Sequence, residues 1–134
     1  MDTAKALQEL KNLLGEDRVL TKIEDRACYS YDASPYISEP QAVLIPRDTR
    51  DISGILKIAS KYKTPVIPRG AGTGLSGGCV PVDGVFILDM SKLNKVIEID
   101  TKNLVAVVQA GVVLADLHRA VESLGLFYPP DPQS

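Results

Sequence analysis

The sequence predicts an α+β fold of α/β-like character: a small parallel sheet flanked by helices, then the start of a second, mixed subdomain built from a β-hairpin and a helix. Three observations carry this. Short apolar runs "QAVLIP", "PVIP" and "GVFILD" are strand-length and bounded by proline or glycine. A helical stripe lies between the first two, as a parallel crossover requires. After "GVFILD" the pattern changes to two alternating runs about a turn, which reads as a hairpin.

Taken in order, Thr3 is placed to cap a helix through Leu14, with Leu7, Leu10 and Leu14 on one face and Gly15 as the stop. Thr21 and Glu24 have capping-box spacing and predict a short helix near residues 22 to 30. "YDASPYISEP" reads as an irregular loop. The strand "QAVLIP" follows, closed by Pro46. Asp48 or Thr49 then caps a helix to about Tyr62, whose stripe is Ile52, Ile55, Leu56, Ala59 and Tyr62. "KVIEID" and "LVAVVQAG" flank the turn "TKN". A helix from about Val113 to Leu124 is expected to bury Leu114, Leu117, Val121 and Leu124, and Gly125 ends it. "LFYPPDPQS" is extended, since proline joins neither a helix nor a ladder. The organisation expected is residues 1–40 as a helical segment and 41–134 as the front part of a larger binding domain. A hairpin plus one helix is marginal as a second layer, so the chain is expected to continue in a longer protein.

Composition narrows the function. The 134 residues are 45% hydrophobic and 24% charged, with a net charge of −2, which is ordinary for one globular domain. Mixed charges without a basic stripe, and only 5% aromatic residues, give no footprint for nucleic acid. Cys28 and Cys79 form no CxxC pair. They are read as reduced thiols in a cytoplasmic protein, although a single disulfide is compatible with their spacing. The N-terminus is amphipathic rather than signal-like, and no apolar run approaches the roughly 20 residues that cross a bilayer.

The chemistry concentrates in "PVIPRGAGTGLSGG", residues 65–78. Gly72, Gly74 and Gly77 satisfy GxGxxG after a strand. A dinucleotide-binding Rossmann loop, however, runs straight into a helix, and here "GCVPVDGVFILD" leads to a strand instead. The Gly-Lys-Ser/Thr of a Walker loop is missing. What remains is a backbone nest, in which consecutive amides fold around an anion without a helix, against the alternative of a plain glycine-rich turn. Thr73 and Ser76 add hydroxyl donors, and Arg69 is expected as a cation at the entrance. Four or five charge-assisted hydrogen bonds, each worth about 1.5 to 3 kcal/mol, would hold a pyrophosphate.

"PVIPRGAGTGLSGG", followed by "VFILDMSKLNKVIEID", "VVQAGVVLADLHRAV" and "GLFYPPDPQS", resembles the FAD-binding (PCMH-type) domain of the vanillyl-alcohol oxidase / p-cresol methylhydroxylase flavoprotein superfamily. It is most similar to the FAD-linked glycolate oxidase D-subunit and D-lactate dehydrogenase group. The match runs from about Gln41 to the last residue. The resemblance implies a flavin-dependent oxidation of a small 2-hydroxy acid in the complete protein, with the cap domain and substrate residues outside this chain. It implies that Gly70, Ala71, Gly72, Thr73 and Gly74 wrap the FAD pyrophosphate, that Ser76, Gly77 and Gly78 complete the turn, and that Pro129, Pro130 and Asp131 pass near the flavin. Relatives with covalent flavin carry histidine in an Arg-Gly-Gly-Gly-His loop; Thr73 stands at that place, so noncovalent FAD is expected. A catalytic residue or metal ligand is not identified here. His118, at the edge of an apolar helix face, is read as structural, and Asp89 as the cap of the turn before "SKLNK". The alternative is a non-catalytic folded module without retained cofactor, and self-association through uncovered strand edges is expected in either case.

Overall fold

The structure, a computed structural model, describes residues 2–131; the last three residues of the proline-rich segment lie outside the described residues. Helix α1 (Thr3–Leu14) buries Ala6, Leu10 and Leu14 at a spacing of four, the period that aligns one helical face. Gly15, at φ 92°, ends it, its amide donating to the Lys11 carbonyl at 2.8 Å. Thr3 is inside the helix and not its cap. Its hydroxyl accepts from Gln41 Nε2 at 3.2 Å and so ties the helix start to the first parallel strand.

A 3₁₀ turn (Glu16–Arg18) leads to strand β1 (Val19–Leu20) and then helix α2 (Ile23–Ala27). The Thr21–Glu24 capping box does not form: Lys22 occupies the N-cap without a side-chain bond, and the helix is shorter than predicted. Strand β2 (Ala42–Leu44) is followed by helix α3 (Thr49–Lys61), capped by the Asp48 carboxylate, which accepts from the Asp51 amide at 2.9 Å. Strands β3 (Val66–Arg69) and β4 (Phe86–Asp89) complete the sheet in the order β1-β2-β4-β3. β2, β4 and β3 run parallel as the sequence predicts. β1, which the sequence reading does not contain, pairs antiparallel with β2 at the edge.

Side chains alternate across the sheet. Ala42, Leu44, Phe86 and Leu88 join Ala6, Leu10, Leu14, Val19, Ile55, Met90 and Leu93 in one core beneath α1 and α3. Val43 and Ile87 are fully buried on the other face. Each large side chain here is worth about 1.5 to 3 kcal/mol of burial. Helices α1 and α3 approach closely because Gly54 has no Cβ; one built there would stand 2.7 Å from Leu13 Cδ2. Arg18 joins three elements, donating to Leu14 O at 2.7 Å and to Asp51 Oδ2 at 2.5 Å, and reaching Ile45 O at 3.4 Å.

Strands β5 (Val96–Asp100) and β6 (Val105–Val108) form the predicted antiparallel hairpin, irregular between Val96 and Glu98. The Asp100 carboxylate closes its turn by accepting from the Lys102 and Asn103 amides, each at 3.0 Å. Gly111 seats the hairpin against the end of the parallel sheet, its amide donating to Leu93 O at 2.8 Å. Helix α4 (Leu114–Glu122) buries Leu117 and Val121, but Leu114 is only partly buried and Leu124 is 52% exposed. The expected stripe fails at Leu124 because the helix stops at Glu122, and the residue falls in the turn that Gly125, at φ 73°, reverses. No helix among the described residues is long and apolar enough to cross a membrane. Cys28 and Cys79 are unpaired thiols.

Candidate functional site

Parallel sheets present ligand sites beyond the carboxyl ends of their strands. Here those ends are Arg69 of β3 and Asp89 of β4, which are register partners. The chain between them, residues 70–85, contains no helix. Gly70, Ala71, Gly72, Thr73, Gly74, Ser76, Gly77 and Gly78 are therefore brought together on one irregular loop at that edge. Two of its glycines are conformationally required: Gly72 and Gly77 both lie at φ 73°, in the left-handed region that side chains disfavour.

The state of the loop's amides decides what it can hold. Among the described residues, none from Gly70 to Ser76, nor those of Gly78 and Cys79, donates to a protein acceptor. The Gly77 amide approaches the Asp32 carboxylate and helps depress its pKa without reaching hydrogen-bond geometry. Several carbonyls of the segment are, by contrast, engaged. Arg69 O accepts from Met90 N, Gly74 O from Ala33 N, and Gly77 O from Val80 N, at 3.0, 3.0 and 3.1 Å. The hydroxyls of Thr73 and Ser76 are on exposed residues. A loop in which the Gly74 and Gly77 carbonyls are bound to protein while the amides from Gly70 to Ser76 stay open presents a run of free donors, suited to an anion.

Arg69 departs from its predicted place. It is not a cation at the entrance but is buried, 8% exposed. Its Nη1 donates to Tyr31 O at 2.6 Å and lies 3.7 Å from Cys79 Sγ, and its guanidinium sits 5.6 Å from the centre of the Tyr29 ring. The physical reason is the strand register: the last residue of β3 points inward, where a carbonyl and an aromatic face receive the cation. The guanidinium nevertheless lies directly behind Gly72, where an added Cβ would stand 2.5 Å from Cζ. Its charge supports the loop from below.

Asp89 caps the following turn as predicted, its Oδ1 accepting from Ser91 N at 2.9 Å, while Oδ2 accepts from Tyr29 Oη at 2.7 Å. Burial, and then that hydrogen bond to a carboxylate, push the Tyr29 phenol far above its ordinary value. Pro129, Pro130 and Asp131 lie on an exposed segment without regular structure after α4, and no hydrogen bond joins them to the glycine loop among the described residues. His118 packs at 5.9 Å from the Tyr128 ring, its Nε2 buried without a partner. No cluster of metal-ligating side chains occurs among the described residues.

The sequence reading leaves out Tyr29, from the segment expected as a short helix, and Tyr31, Asp32, Ser34 and Tyr36, from the segment read only as irregular; all reach this loop edge. The available signal was local: Asp-x-Ser-Pro is a turn-forming pattern in which the aspartate accepts from the amide two residues on. That bond is present, Asp32 Oδ1 to Ser34 N at 2.8 Å. The Asp32 carboxyl is held below its ordinary value first by side-chain hydrogen bonding with Ser34, opposed by burial, with this backbone bond adding to the lowering.

The family described as FAD binding domain matches residues 40–134. The glycolate oxidase subunit GlcD of Bacillus subtilis (strain 168) is 47% identical over the whole of this chain and 29% of its own length. The D-lactate dehydrogenase of Anaerostipes hadrus is 33% identical over 97% of the chain and 28% of its own length. Among solved structures, p-cresol methylhydroxylase with substrate bound superposes with a TM-score of 0.82 at 29% identity, covering 92% of this chain and 25% of its own. Alkyldihydroxyacetonephosphate synthase, at 22% identity and a TM-score of 0.86 over 96% of this chain and 26% of its own, shares the fold. The chain thus spans under a third of the length of the relatives it matches.

Proposed function

This chain belongs to the FAD binding domain family, and from that premise we propose that it holds FAD for a longer flavin-dependent oxidoreductase acting on a 2-hydroxy acid such as glycolate or D-lactate. The substrate class is taken from the names of the relatives, a glycolate oxidase subunit and a D-lactate dehydrogenase. The redox chemistry, acceptance of a hydride from the substrate α-carbon, is the cofactor's own.

The chain's work is to bind and orient. The observation that carries the proposal is the set of open amides from Gly70 to Ser76 on a loop that no helix follows. In this reading the amides of Gly70, Ala71, Gly72, Thr73 and Gly74 donate to the FAD diphosphate, with Ser76, Gly77 and Gly78 closing the turn and the Thr73 and Ser76 hydroxyls adding donors. Arg69 contributes charge from behind the loop rather than contact at its mouth. Thr73, where covalent relatives carry histidine, supplies no attachment point, so FAD is held noncovalently. Pro129, Pro130 and Asp131 form a second segment near the flavin. Substrate-handling groups belong to the part of the parent protein that this chain does not span.

Because the chain supplies diphosphate contacts but few walls for the adenine and isoalloxazine rings, its own FAD affinity is expected to be weaker than about 1 μM, or about −8 kcal/mol. Titration followed by flavin fluorescence, with inorganic pyrophosphate as competitor, tests this. Saturable, competed binding above about 1 μM is the expected result. A flat titration up to millimolar chain removes the cofactor proposal, and tighter binding removes the division of labour. The second reading, a non-catalytic module that retains no cofactor, is favoured by the exposed apolar side chains of Ile97, Leu104, Val105 and Phe127, which suit an interface. A colourless purified protein without flavin absorbance supports that reading.

A further inference from the structure

We propose that the loop Ser30–Ser38 is the positioning element of the diphosphate site, and that it acts through Asp32 and Tyr36 to fix the curvature of the glycine loop. The proposal rests on the reading of that loop as the FAD diphosphate cradle. Residues 30–38 lie upstream of the stretch that the family matches, which starts at residue 40.

The segment is itself a closed unit. Ser38 N donates to Ser30 O at 2.9 Å, Tyr31 and Ile37 form an isolated antiparallel bridge, and the Asp32–Ser34 bond sets the tip. Short loops with joined ends are stiff, since closure removes most of their freedom before they touch anything else. The tip then docks on the glycine loop at several points. Ala33 N donates to Gly74 O at 3.0 Å. Tyr31 O receives the Arg69 guanidinium that stands behind Gly72. The Asp32 carboxylate, on a residue only 7% exposed, lies beside Gly74, 3.6 Å from where a Cβ would be, with Oδ2 3.8 Å from Cys79 Sγ. Tyr36 covers Gly77, its ring carbon 3.0 Å from a Cβ built there. These contacts engage the Gly74 carbonyl and bring Asp32 beside the Gly77 amide, while the amides from Gly70 to Ser76 keep no protein acceptor. A strap of this kind holds donors in place before the ligand arrives and so lowers the ordering cost of binding.

Backbone order in the ligand-free chain tests the proposal independently of flavin. Amide ¹⁵N relaxation is recorded for wild type, Asp32→Ala, Asp32→Asn and Tyr36→Ala. In wild type, residues 71–78 should show rigid order parameters near about 0.85, and in Asp32→Ala they should fall below about 0.6 while β4 stays rigid. Asp32→Asn keeps the acceptor for Ser34 N and should restore order. Tyr36→Ala, which removes a 64% exposed side chain and leaves the core intact, should loosen the loop around Gly77. Pyrophosphate affinity should fall about tenfold in Asp32→Ala and recover in Asp32→Asn. Unchanged order at residues 71–78 in Asp32→Ala overturns the proposal. Should that variant not fold, an unchanged Gly77 region in Tyr36→Ala overturns it equally. A wild-type loop that is rigid and strap-dependent, yet binds neither pyrophosphate nor FAD, would sink the cofactor reading and leave the positioning role standing.

Discussion

Gly72→Ala perturbs the candidate site at its most constrained point. The residue lies at φ 73°, so any side chain there costs about 1 kcal/mol of backbone strain. The new methyl would also stand 2.5 Å from Arg69 Cζ and closer still to Nη2. Relief requires the guanidinium to leave its place, which gives up the 2.6 Å bond from Nη1 to Tyr31 O. A hydrogen bond from a charged group is worth about 1.5 to 3 kcal/mol. The total, about 2.5 to 4 kcal/mol, is a large share of the roughly 5 to 15 kcal/mol that holds a domain of this class. Thermal melting by circular dichroism should therefore fall by about 10 to 20 °C. Gly70→Ala is the internal control, because nothing lies within 4 Å of its Cβ position, and it should change stability by less than about 0.5 kcal/mol. The decisive comparison is a double-mutant cycle with Arg69→Ala. With the guanidinium gone, Gly72→Ala should cost only the strain of about 1 kcal/mol, a coupling of about 2 kcal/mol. Equal cost of Gly72→Ala in both backgrounds, or a cost as small as that of Gly70→Ala, would refute the packing of Arg69 behind the loop.

Other expectations follow from the same contacts. Gly111→Ala would place a methyl on the Met90 carbonyl, 2.7 Å from its carbon; backbone cannot rotate away, so urea unfolding should show a loss of about 3 kcal/mol or more. The carboxyls of Asp32, Asp48 and Asp100 are held below their ordinary value, chiefly by side-chain bonding to Ser34, by the Asp51 amide and by Asn103 respectively. Their stabilisation is complete above the unfolded value of 3.8 and is lost as pH falls through the depressed folded values. Urea midpoints should thus be flat from about pH 5 to 8 and drop below about pH 4, and Asp48→Ala should flatten that drop as well as lower the plateau. The hairpin exposes Ile97, Leu104, Val105 and Val107, so light scattering should show association that grows with concentration; a sharp monomer at high concentration contradicts this.

What the sequence made legible was local. The three apolar runs around a capped helix are enough to place β2, α3, β3 and β4, because strand length, proline bounds and helical period are all written within a few residues. The hairpin is legible for the same reason, with its turn at Asp100. Arg69 was misplaced because its destination, the carbonyl of Tyr31, lies 38 positions away and no local pattern records it. β1 is two residues long and exists only through pairing with β2. The Thr21–Glu24 pattern is a capping signal that the next turn did not use, since the helix begins one residue later at Ile23. The glycine loop was recognised from composition and from the missing helix. Its support by residues 30–38 was not, for a closed irregular loop announces itself only through what it touches.

The measurement closest to the central claim is an amide-resolved NMR titration of the chain with inorganic pyrophosphate. The account predicts saturable shifts at Gly70, Ala71, Gly72, Thr73 and Gly74, with the α3 and hairpin amides unmoved. Shifts confined to other surfaces, or a glycine loop that stays silent at saturating anion, would contradict it.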